Sequence, residues 1–205
     1  MNPMERSAER EPPARRSGRA ATSTAELSHI GLRLFLERGF EAVTVDEIAA
    51  AAGIGRRTFF RYFASKNDLP WGDFDALVAA MREHLAETSD EVPMVEALRE
   101  AIVEFNRYPP EEVGYHRQRM QLLFTVPALV GHSSLRYESW RRVIAEFVAR
   151  RTRTAPDDLL PSAVSSAMLG AALGAYSHWL AHPAADLAAV MRAAFDDLAA
   201  VFGSS

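Results

Sequence analysis

Apolar side chains recur at helical spacing along most of the chain, and this pattern excludes most folds. Leu27, Ile30, Leu34 and Phe35 stand at positions i, i+3, i+7 and i+8, which places them on one face of a helix. Similar apolar stripes, each a set of apolar residues on one helix face, recur along the rest of the chain. The last stripe comprises Leu187, Val190, Met191, Ala194, Leu198 and Val201. No stretch alternates apolar and polar residues as a half-buried strand would. The sequence therefore predicts an all-α fold of about nine helices.

Prolines and glycines divide the stripes into separate helices. The first helix is predicted from about 22 to 38, where Arg38 and Gly39 form a typical C-terminal end. Later stripes are separated by Pro93, Pro109, Pro110, Pro127, Pro156, Pro161 and Pro183. The last two helices are predicted at about 162–181 and 186–202.

Composition restricts the class of protein. The 205 residues are 48% hydrophobic, and no uninterrupted apolar run approaches the 18 residues of a membrane span. The absence of cysteine excludes disulfides and thiolate ligands, and the arginine-rich N-terminus lacks the apolar core of a secretory signal. We therefore expect a soluble, cytoplasmic protein that makes no membrane contact.

Charge is unevenly distributed between the two ends of the chain. The net charge of −4 divides into about +3 for residues 1–66 and about −7 for residues 67–205. Residues 1–20 hold few apolar side chains and contain Pro12-Pro13, so a flexible basic arm is predicted there. A basic N-terminal segment on an acidic remainder is typical of a nucleic-acid-binding end joined to another domain.

A helix-turn-helix pattern lies within this basic segment. Thr44 and Glu47 have the spacing of a capping box, which predicts a short helix to about residue 51. Gly53 provides a turn of suitable length, and Gly55 can cap a third helix from Arg56 to about residue 63. The predicted DNA-binding domain therefore covers residues 21–66. The following run Ser65-Lys66-Asn67-Asp68 resembles a second capping box.

The third helix has the side chains of a DNA-reading helix. Its helical spacing directs Ile54, Phe59 and Phe63 to the core and the polar residues outward. Recognition helices read base edges with their N-terminal residues, and arginine pairs well with guanine. We predict base contacts from Arg56, Arg57 and Thr58, and phosphate contacts from Thr44, Arg61, Tyr62 and Lys66. The alternative is a solvated basic helix on an ordinary three-helix bundle.

Residues 24–68 resemble the DNA-binding domain of the TetR family of transcriptional regulators. The likeness is carried by TVDEIAAAAGIG at 44–55 and TFFRYFASK at 58–66. It implies a C-terminal helical domain, residues 67–205, that dimerises and holds an effector. Further similarity in 57–75, 105–112, 126–129 and 135–137 resembles the mycofactocin-system subgroup of these regulators.

Two residues depart from the family pattern. Phe60 stands where many members have a tyrosine whose hydroxyl meets phosphate, so that contact is lost or replaced. Pro70 falls where the fourth helix usually runs unbroken, and proline inside a helix would cost about 3 kcal/mol. We therefore expect Pro70 at the first position of a later-starting helix, which reduces the Ser65–Asp68 run to a turn and weakens the assignment of Lys66 to phosphate.

Large residues on the apolar faces of the C-terminal helices are candidates for an effector pocket. They are Trp71, Phe74, Phe105, His116, Met120, Phe124, Trp140 and Trp179. Together they indicate a mainly apolar ligand with a few polar anchors, such as an acyl thioester, a cofactor intermediate or another amphipathic metabolite. For each residue, plain core packing is the alternative.

The segment 162–178 is rich in glycine, alanine and serine, so another helix can approach it closely. With the final stripe, it predicts a homodimer built from the last two helices of each subunit. Packing within one chain is the alternative.

Enzyme and metal-binding patterns receive little support. His178 and His182 stand one helical turn apart, but Trp179 occupies the position where a metalloprotease helix carries glutamate. No nucleophile elbow, Walker A motif or Rossmann glycine pattern is present. We predict no catalytic residue, metal or bound cofactor.

These patterns together predict a ligand-responsive, homodimeric transcriptional repressor. Each subunit would place one recognition helix in a major groove of a pseudo-palindromic operator in double-stranded DNA. The alternative is an α-helical small-molecule-binding protein or enzyme without specific DNA binding.

Overall fold

The computed structural model describes residues 23–203, so the predicted basic arm at 1–20 lies outside the described residues. Within 23–203 the chain forms nine α-helices and one 3₁₀ turn and contains no strand, which confirms the all-α class. The α-helices are α1 Thr24–Arg38, α2 Val45–Ala51, α3 Arg56–Tyr62, α4 Phe74–Glu87, α5 Met94–Phe105, α6 Pro110–Thr125, α7 Pro127–Thr152, α8 Leu159–Ala181 and α9 Leu187–Gly203.

Helices α1 to α3 form the predicted helix-turn-helix unit. The Thr44 hydroxyl accepts from the backbone N–H of Glu47, whose carboxylate accepts from the backbone N–H of Thr44 at 2.8 Å. This capping box begins α2 as predicted. Between α2 and α3 the backbone of Gly53 has a φ of 68°, a left-handed conformation that favours glycine. Phe59 of α3 is fully buried, and α3 packs against α2.

The segment after α3 differs from the sequence prediction at Pro70. Pro70 lies in a separate 3₁₀ turn, Leu69–Trp71, and α4 begins only at Phe74. The expectation of Pro70 at the first position of α4 was therefore wrong, although α4 does start late. A proline lacks an N–H and can be accommodated early in a short turn, where that donor needs no partner. Residues 65–68 form a turn, as that expectation implied.

The C-terminal helices bury a large apolar core around α7. Trp140, Ile144 and Val148 of α7 are buried among side chains of α4, α5 and α8. α8 begins at Leu159, three residues before the predicted start, with Pro161 in its first turn. By length and composition α8 could cross a membrane, and only 28% of its most apolar window is buried in the chain. Residues 23–203 therefore leave much of α8 uncovered.

A set of contacts that we call the junction joins the 3₁₀ turn and the residues before it to α1 and α7. It comprises Ser28, Gly31, Ser65, Asp68, Leu69, His132 and Arg136. The Ser28 hydroxyl donates to the carbonyl oxygen of Leu69 at 2.8 Å. A Cβ atom on Gly31 would lie 2.4 Å from a methyl carbon of the fully buried Leu69, so a larger residue at position 31 would displace that side chain.

Asp68 is the centre of the junction. One carboxylate oxygen accepts from Arg136 at 2.7 Å and from His132 at 2.8 Å, and the other accepts from Ser65 at 2.8 Å. Burial alone would raise the pKa of Asp68, but these hydrogen bonds outweigh it and hold the pKa below 3.8. The His132 side chain is largely buried where it meets this carboxylate.

Candidate functional site

The outward face of α3 presents arginines to solvent. Arg57 and Arg61 are exposed, and neither forms an ion pair with a residue in the described range 23–203. Thr58 lies beside them and is half-buried, while Tyr62 is half-buried with the Arg61 guanidinium over its ring. The predicted division of α3 is confirmed, since Phe59 and Phe63 face the core. The result is a cationic surface with donors free to bind an anion.

Arg56 differs from the other two arginines because it has a partner. Its guanidinium lies 2.8 Å from the Asp46 carboxylate, and both side chains are mostly exposed. The same guanidinium is 5.3 Å from the ring centroid of Phe60, which is 44% exposed. An exposed pair of this kind contributes little free energy, so Arg56 can exchange Asp46 for another acceptor.

Thr44 and Lys66 already have intramolecular roles. The Thr44 hydroxyl is part of the capping box at α2. The Lys66 ammonium donates to the carbonyl oxygens of Phe40 at 2.9 Å and Val43 at 3.1 Å, and lies over the Phe40 ring. Lys66 therefore stabilises the loop between α1 and α2 through these two hydrogen bonds. An ammonium has three donors, so one N–H remains for a phosphate.

A cavity of about 70 Å³ lies inside the C-terminal helices. Its walls come from the 3₁₀ turn and from α4 to α8, and they are mainly apolar and aromatic. The lining residues are Pro70, Trp71, Phe74, Leu77, Phe105, Asn106, Tyr108, His116, Arg119, Met120, Leu123, Tyr137, Trp140, Leu169, Ala172, Leu173 and Tyr176. The residue types suit an amphipathic ligand, but the volume is well below the several hundred Å³ of most ligand sites.

Six of the eight predicted pocket residues line this cavity: Trp71, Phe74, Phe105, His116, Met120 and Trp140. The other two lie outside its wall. Trp179 is fully buried, with its indole N–H donating to Ala185 and the Arg117 guanidinium over its ring. Phe124 packs against Tyr176, with ring centroids 6.1 Å apart.

Apart from His116, the sequence analysis did not identify the polar residues of the cavity, which include Asn106, Tyr108, Arg119 and Tyr176. Arg119 stands three residues after His116 on α6, and this spacing could have identified it. Tyr176 lies on α8 among small residues, and Asn106 follows the last residue of α5. Their convergence depends on how α5, α6 and α8 pack, which no local pattern indicates.

Burial controls the charge state of the cavity residues. Desolvation, with a smaller effect of the Arg119 cation, lowers the pKa of His116 to about 3. Desolvation also raises the pKa of Tyr108 and of Tyr176 above their usual values. His116 is therefore neutral at physiological pH, and Arg119 is the cavity's cation.

An apolar groove runs along α5, α8 and α9 on the outside of the domain. Its lining includes Val95, Leu98, Met168, Gly174, Leu198 and Val201. Val95 is 46% exposed and Val201 69% exposed. This groove contains the small-residue face of α8 that the sequence singled out.

His178 and His182 stack with ring centroids 4.0 Å apart, and the Nδ1 of His182 donates to the His178 carbonyl oxygen. Within the described part of the chain, no group of three or more histidine, aspartate or glutamate side chains is arranged to hold a metal ion.

Two family models match the chain. Residues 30–69 match the model described as bacterial regulatory proteins of the tetR family, and residues 92–203 match the MftR C-terminal domain. The chain is 43% identical over 178 residues to MftR of Mycobacterium tuberculosis, to which a role as transcriptional regulator of mycofactocin biosynthesis is assigned. That similarity covers 87% of this chain and 90% of MftR.

Solved structures share the fold at lower sequence identity. Thermus thermophilus FadR, a TetR-family repressor in complex with lauroyl-CoA, aligns with a TM-score of 0.56 and 22% identity over 89% of this chain and 95% of FadR. FadR from Bacillus halodurans, a fatty acid degradation regulator, aligns with a TM-score of 0.62 and 16% identity over 84% of this chain and 95% of that chain.

Proposed function

Because the chain belongs to the TetR family of DNA-binding transcriptional regulators, we propose that it is a homodimeric repressor controlled by a small amphipathic effector. Its relatives are regulators rather than enzymes. The observation that supports DNA binding most directly is the pair of exposed arginines, Arg57 and Arg61, on α3 without ion partners in residues 23–203. In this proposal Arg56, Arg57 and Thr58 read bases, while Thr44, Arg61, Tyr62 and Lys66 meet phosphates. Such a regulator acts in the cytoplasm.

The groove on α5, α8 and α9 supports the dimer. Its outer face carries exposed apolar residues beside glycine and alanine, a surface that a second copy can cover closely. Two copies related by a two-fold axis would present two α3 helices to successive major grooves of a pseudo-palindromic operator.

The cavity supports control by an effector. At about 70 Å³ it is too small for a long acyl chain unless its lining moves apart. A ligand that prefers the widened form would shift the protein towards it, and the displaced lining includes Pro70 and Trp71. These residues adjoin the junction, so the helix-turn-helix unit would move with them. The FadR complex with lauroyl-CoA makes an acyl thioester one candidate effector.

The similarity to MftR indicates which genes the protein controls. Identity of 43% to MftR over most of both chains supports regulation of genes that make or use mycofactocin. Operator fragments are therefore best chosen from DNA upstream of the chain's own gene and of neighbouring mycofactocin genes.

Fluorescence anisotropy at fixed salt tests the proposal. The protein should bind such a fragment more tightly than a scrambled fragment of equal length. Arg57→Ala should weaken specific binding by about 1 to 3 kcal/mol and relax base preference at one position. The control Arg142→Ala removes an exposed arginine from α7 and should leave binding unchanged. Equal affinity for all fragments would support a small-molecule binder without specific DNA recognition.

A further inference from the structure

Three buried polar atoms around the cavity have no hydrogen-bond partner within residues 23–203. They are the indole Nε1 of Trp71, the ring Nδ1 of His116 and the guanidinium Nε of Arg119. Buried polar atoms are bonded in the great majority of cases, so three exceptions in one cavity need an explanation. A ligand that completes these bonds would provide one.

A chain of hydrogen bonds determines which kind of partner His116 needs. The Asn106 amide nitrogen donates to the Ile102 carbonyl oxygen at 2.7 Å, so its amide oxygen faces Tyr176. The Tyr176 hydroxyl must then donate to that oxygen, at 2.6 Å. Since the hydroxyl proton is used, the Nε2 of His116 must donate to the Tyr176 oxygen, at 2.8 Å.

The remaining nitrogen of His116 is therefore an acceptor. Burial and the nearby Arg119 cation keep the imidazole neutral, so with a proton on Nε2 its Nδ1 carries only a lone pair. Only a hydrogen-bond donor can satisfy that atom. Trp71 Nε1 and Arg119 Nε carry protons and need acceptors instead.

Arg119 adds a charge requirement beside His116. It stands three residues further along α6, so the two side chains are neighbours on one helix face. Its guanidinium lies over the Tyr115 ring at 5.3 Å and near the Tyr108 and Tyr115 hydroxyls. No carboxylate in the described range forms an ion pair with it, unlike Arg99 or Arg136. An anionic group would complete this site.

We propose that the cavity binds an amphipathic anion with a hydroxyl or amide N–H close to its acidic group, the donor bonding His116 Nδ1 and the acidic group meeting Arg119. This proposal rests on the effector site proposed above and names the chemistry of its ligand. Because both protein atoms are closed to solvent, the ligand must part the lining to reach them. This agrees with a cavity smaller than the ligand.

Matched ligands that differ only in the donor can test the proposal by calorimetry. One pair is 3-hydroxydecanoate and 3-methoxydecanoate, and the other is N-octanoylglycine and N-octanoylsarcosine, in which a methyl group replaces the amide hydrogen. At least one donor-bearing ligand should bind about tenfold more tightly than its methylated partner. The preferred pair distinguishes a hydroxyl donor from an amide donor. Failure of both donor-bearing ligands to bind, or equal affinity within both pairs, would overturn the proposal.

His116→Phe provides the second arm, since it keeps a ring but removes the acceptor. For the ligand pair that shows a difference with the unmodified protein, the ratio of the two affinities should fall to about one in this variant. A preference that survives would place the donor elsewhere and overturn the assignment to Nδ1. Nitrogen-15 spectra of the unmodified protein check the premise without a variant, because they should give the neutral Nε2–H tautomer. An Nδ1–H tautomer would overturn the proposal.

None of these measurements uses DNA. Failure of the ligand pairs alongside sequence-selective DNA binding would therefore reject only the ligand chemistry. Success without DNA binding would instead reject the regulator function.

Discussion

The junction and the cavity both contain buried polar side chains, but three of those in the cavity have a nitrogen without a hydrogen-bond partner in residues 23–203. In the junction, Asp68 accepts from Ser65, His132 and Arg136, and Ser28 bonds the carbonyl of Leu69. In the cavity, by contrast, Trp71, His116 and Arg119 each leave one buried nitrogen unpartnered within 23–203. A satisfied network holds one geometry, whereas an incomplete one is stabilised by whatever completes it.

Trp71 and Phe74 connect the two regions. Their rings stack edge to face at 4.9 Å, and both line the cavity. Trp71 follows Asp68 and Leu69 of the junction closely in sequence, and the Arg136 guanidinium lies 6.0 Å from the Phe74 ring. A ligand that displaces these rings therefore acts on the junction directly. The comparison predicts that junction variants change stability, while cavity variants change the response to ligand.

The largest loss of stability is expected from Asp68→Asn. This change leaves Arg136 and His132 partly buried without a carboxylate, although Arg136 keeps its contact with Asp75 at 2.9 Å. We expect the free energy of unfolding in urea to fall by about 3 kcal/mol. Asp75→Asn is the matched control, because Asp75 is 80% exposed and should change stability by less than about 0.5 kcal/mol. Equal effects would remove the distinction between buried and exposed partners of Arg136.

Acid should affect the same site. Because the pKa of Asp68 in the folded protein is below 3.8, its contribution to stability is present above that value and is lost as the pH falls through the folded pKa. Hydrogen bonds from Thr44 and Arg38 lower the pKa of Glu47 to about 2. The contribution of Glu47 to stability is therefore lost between about pH 4.5 and 2, equally in the original protein and in Asp68→Asn. The stability difference between the original protein and Asp68→Asn should therefore be constant well above pH 3.8 and shrink as the pH falls below that value. A constant difference would show that the Asp68 charge is not responsible.

Gly31→Ala should have the next largest effect. The added methyl group would meet the fully buried Leu69 at 2.4 Å and force the 3₁₀ turn away from α1. We expect a loss of about 1 to 2 kcal/mol in thermal or urea unfolding, after the gain in helix propensity. Gly114→Ala on α6 has open space around it and should instead stabilise by about 0.5 to 1 kcal/mol. Stabilisation by both changes would contradict close packing at the junction.

The sequence predicted what depends on local spacing. The capping box at Thr44, the Gly53 turn and the inward position of Phe59 follow from residues only a few positions apart. Asp68 and Arg136 are 68 residues apart, and Tyr176 and Asn106 are 70 apart, so their contacts arise only when distant helices pack. The 3₁₀ turn at Pro70 was missed because proline is compatible with either the start of a helix or a separate short turn.

Lys66→Met tests a residue that combines structural and DNA-binding roles. Methionine keeps an unbranched apolar stem but loses the bonds to the Phe40 and Val43 carbonyls, so stability should fall by about 1 kcal/mol. If the third N–H meets a phosphate, the slope of log binding constant against log salt concentration should also decrease in magnitude by about one. Arg61→Met should lower the salt dependence without the loss of stability, because Arg61 is exposed. An unchanged salt slope for Lys66→Met would leave Lys66 with only its structural role.

Only a small effect on stability is expected from His116→Phe, although His116 is as deeply buried as Asp68. Tyr176 keeps its bond to Asn106, and the change removes an unpartnered acceptor from the interior. The variant also loses the bond from His116 Nε2 to Tyr176, and removal of the unpartnered Nδ1 offsets that loss, so the free energy of unfolding should change by less than about 1 kcal/mol. A loss comparable to that of Asp68→Asn would mean that His116 is structural, and the contrast between junction and cavity would fail. Near-neutral stability with a lost preference for donor-bearing ligands would locate the function of His116 in the ligand complex.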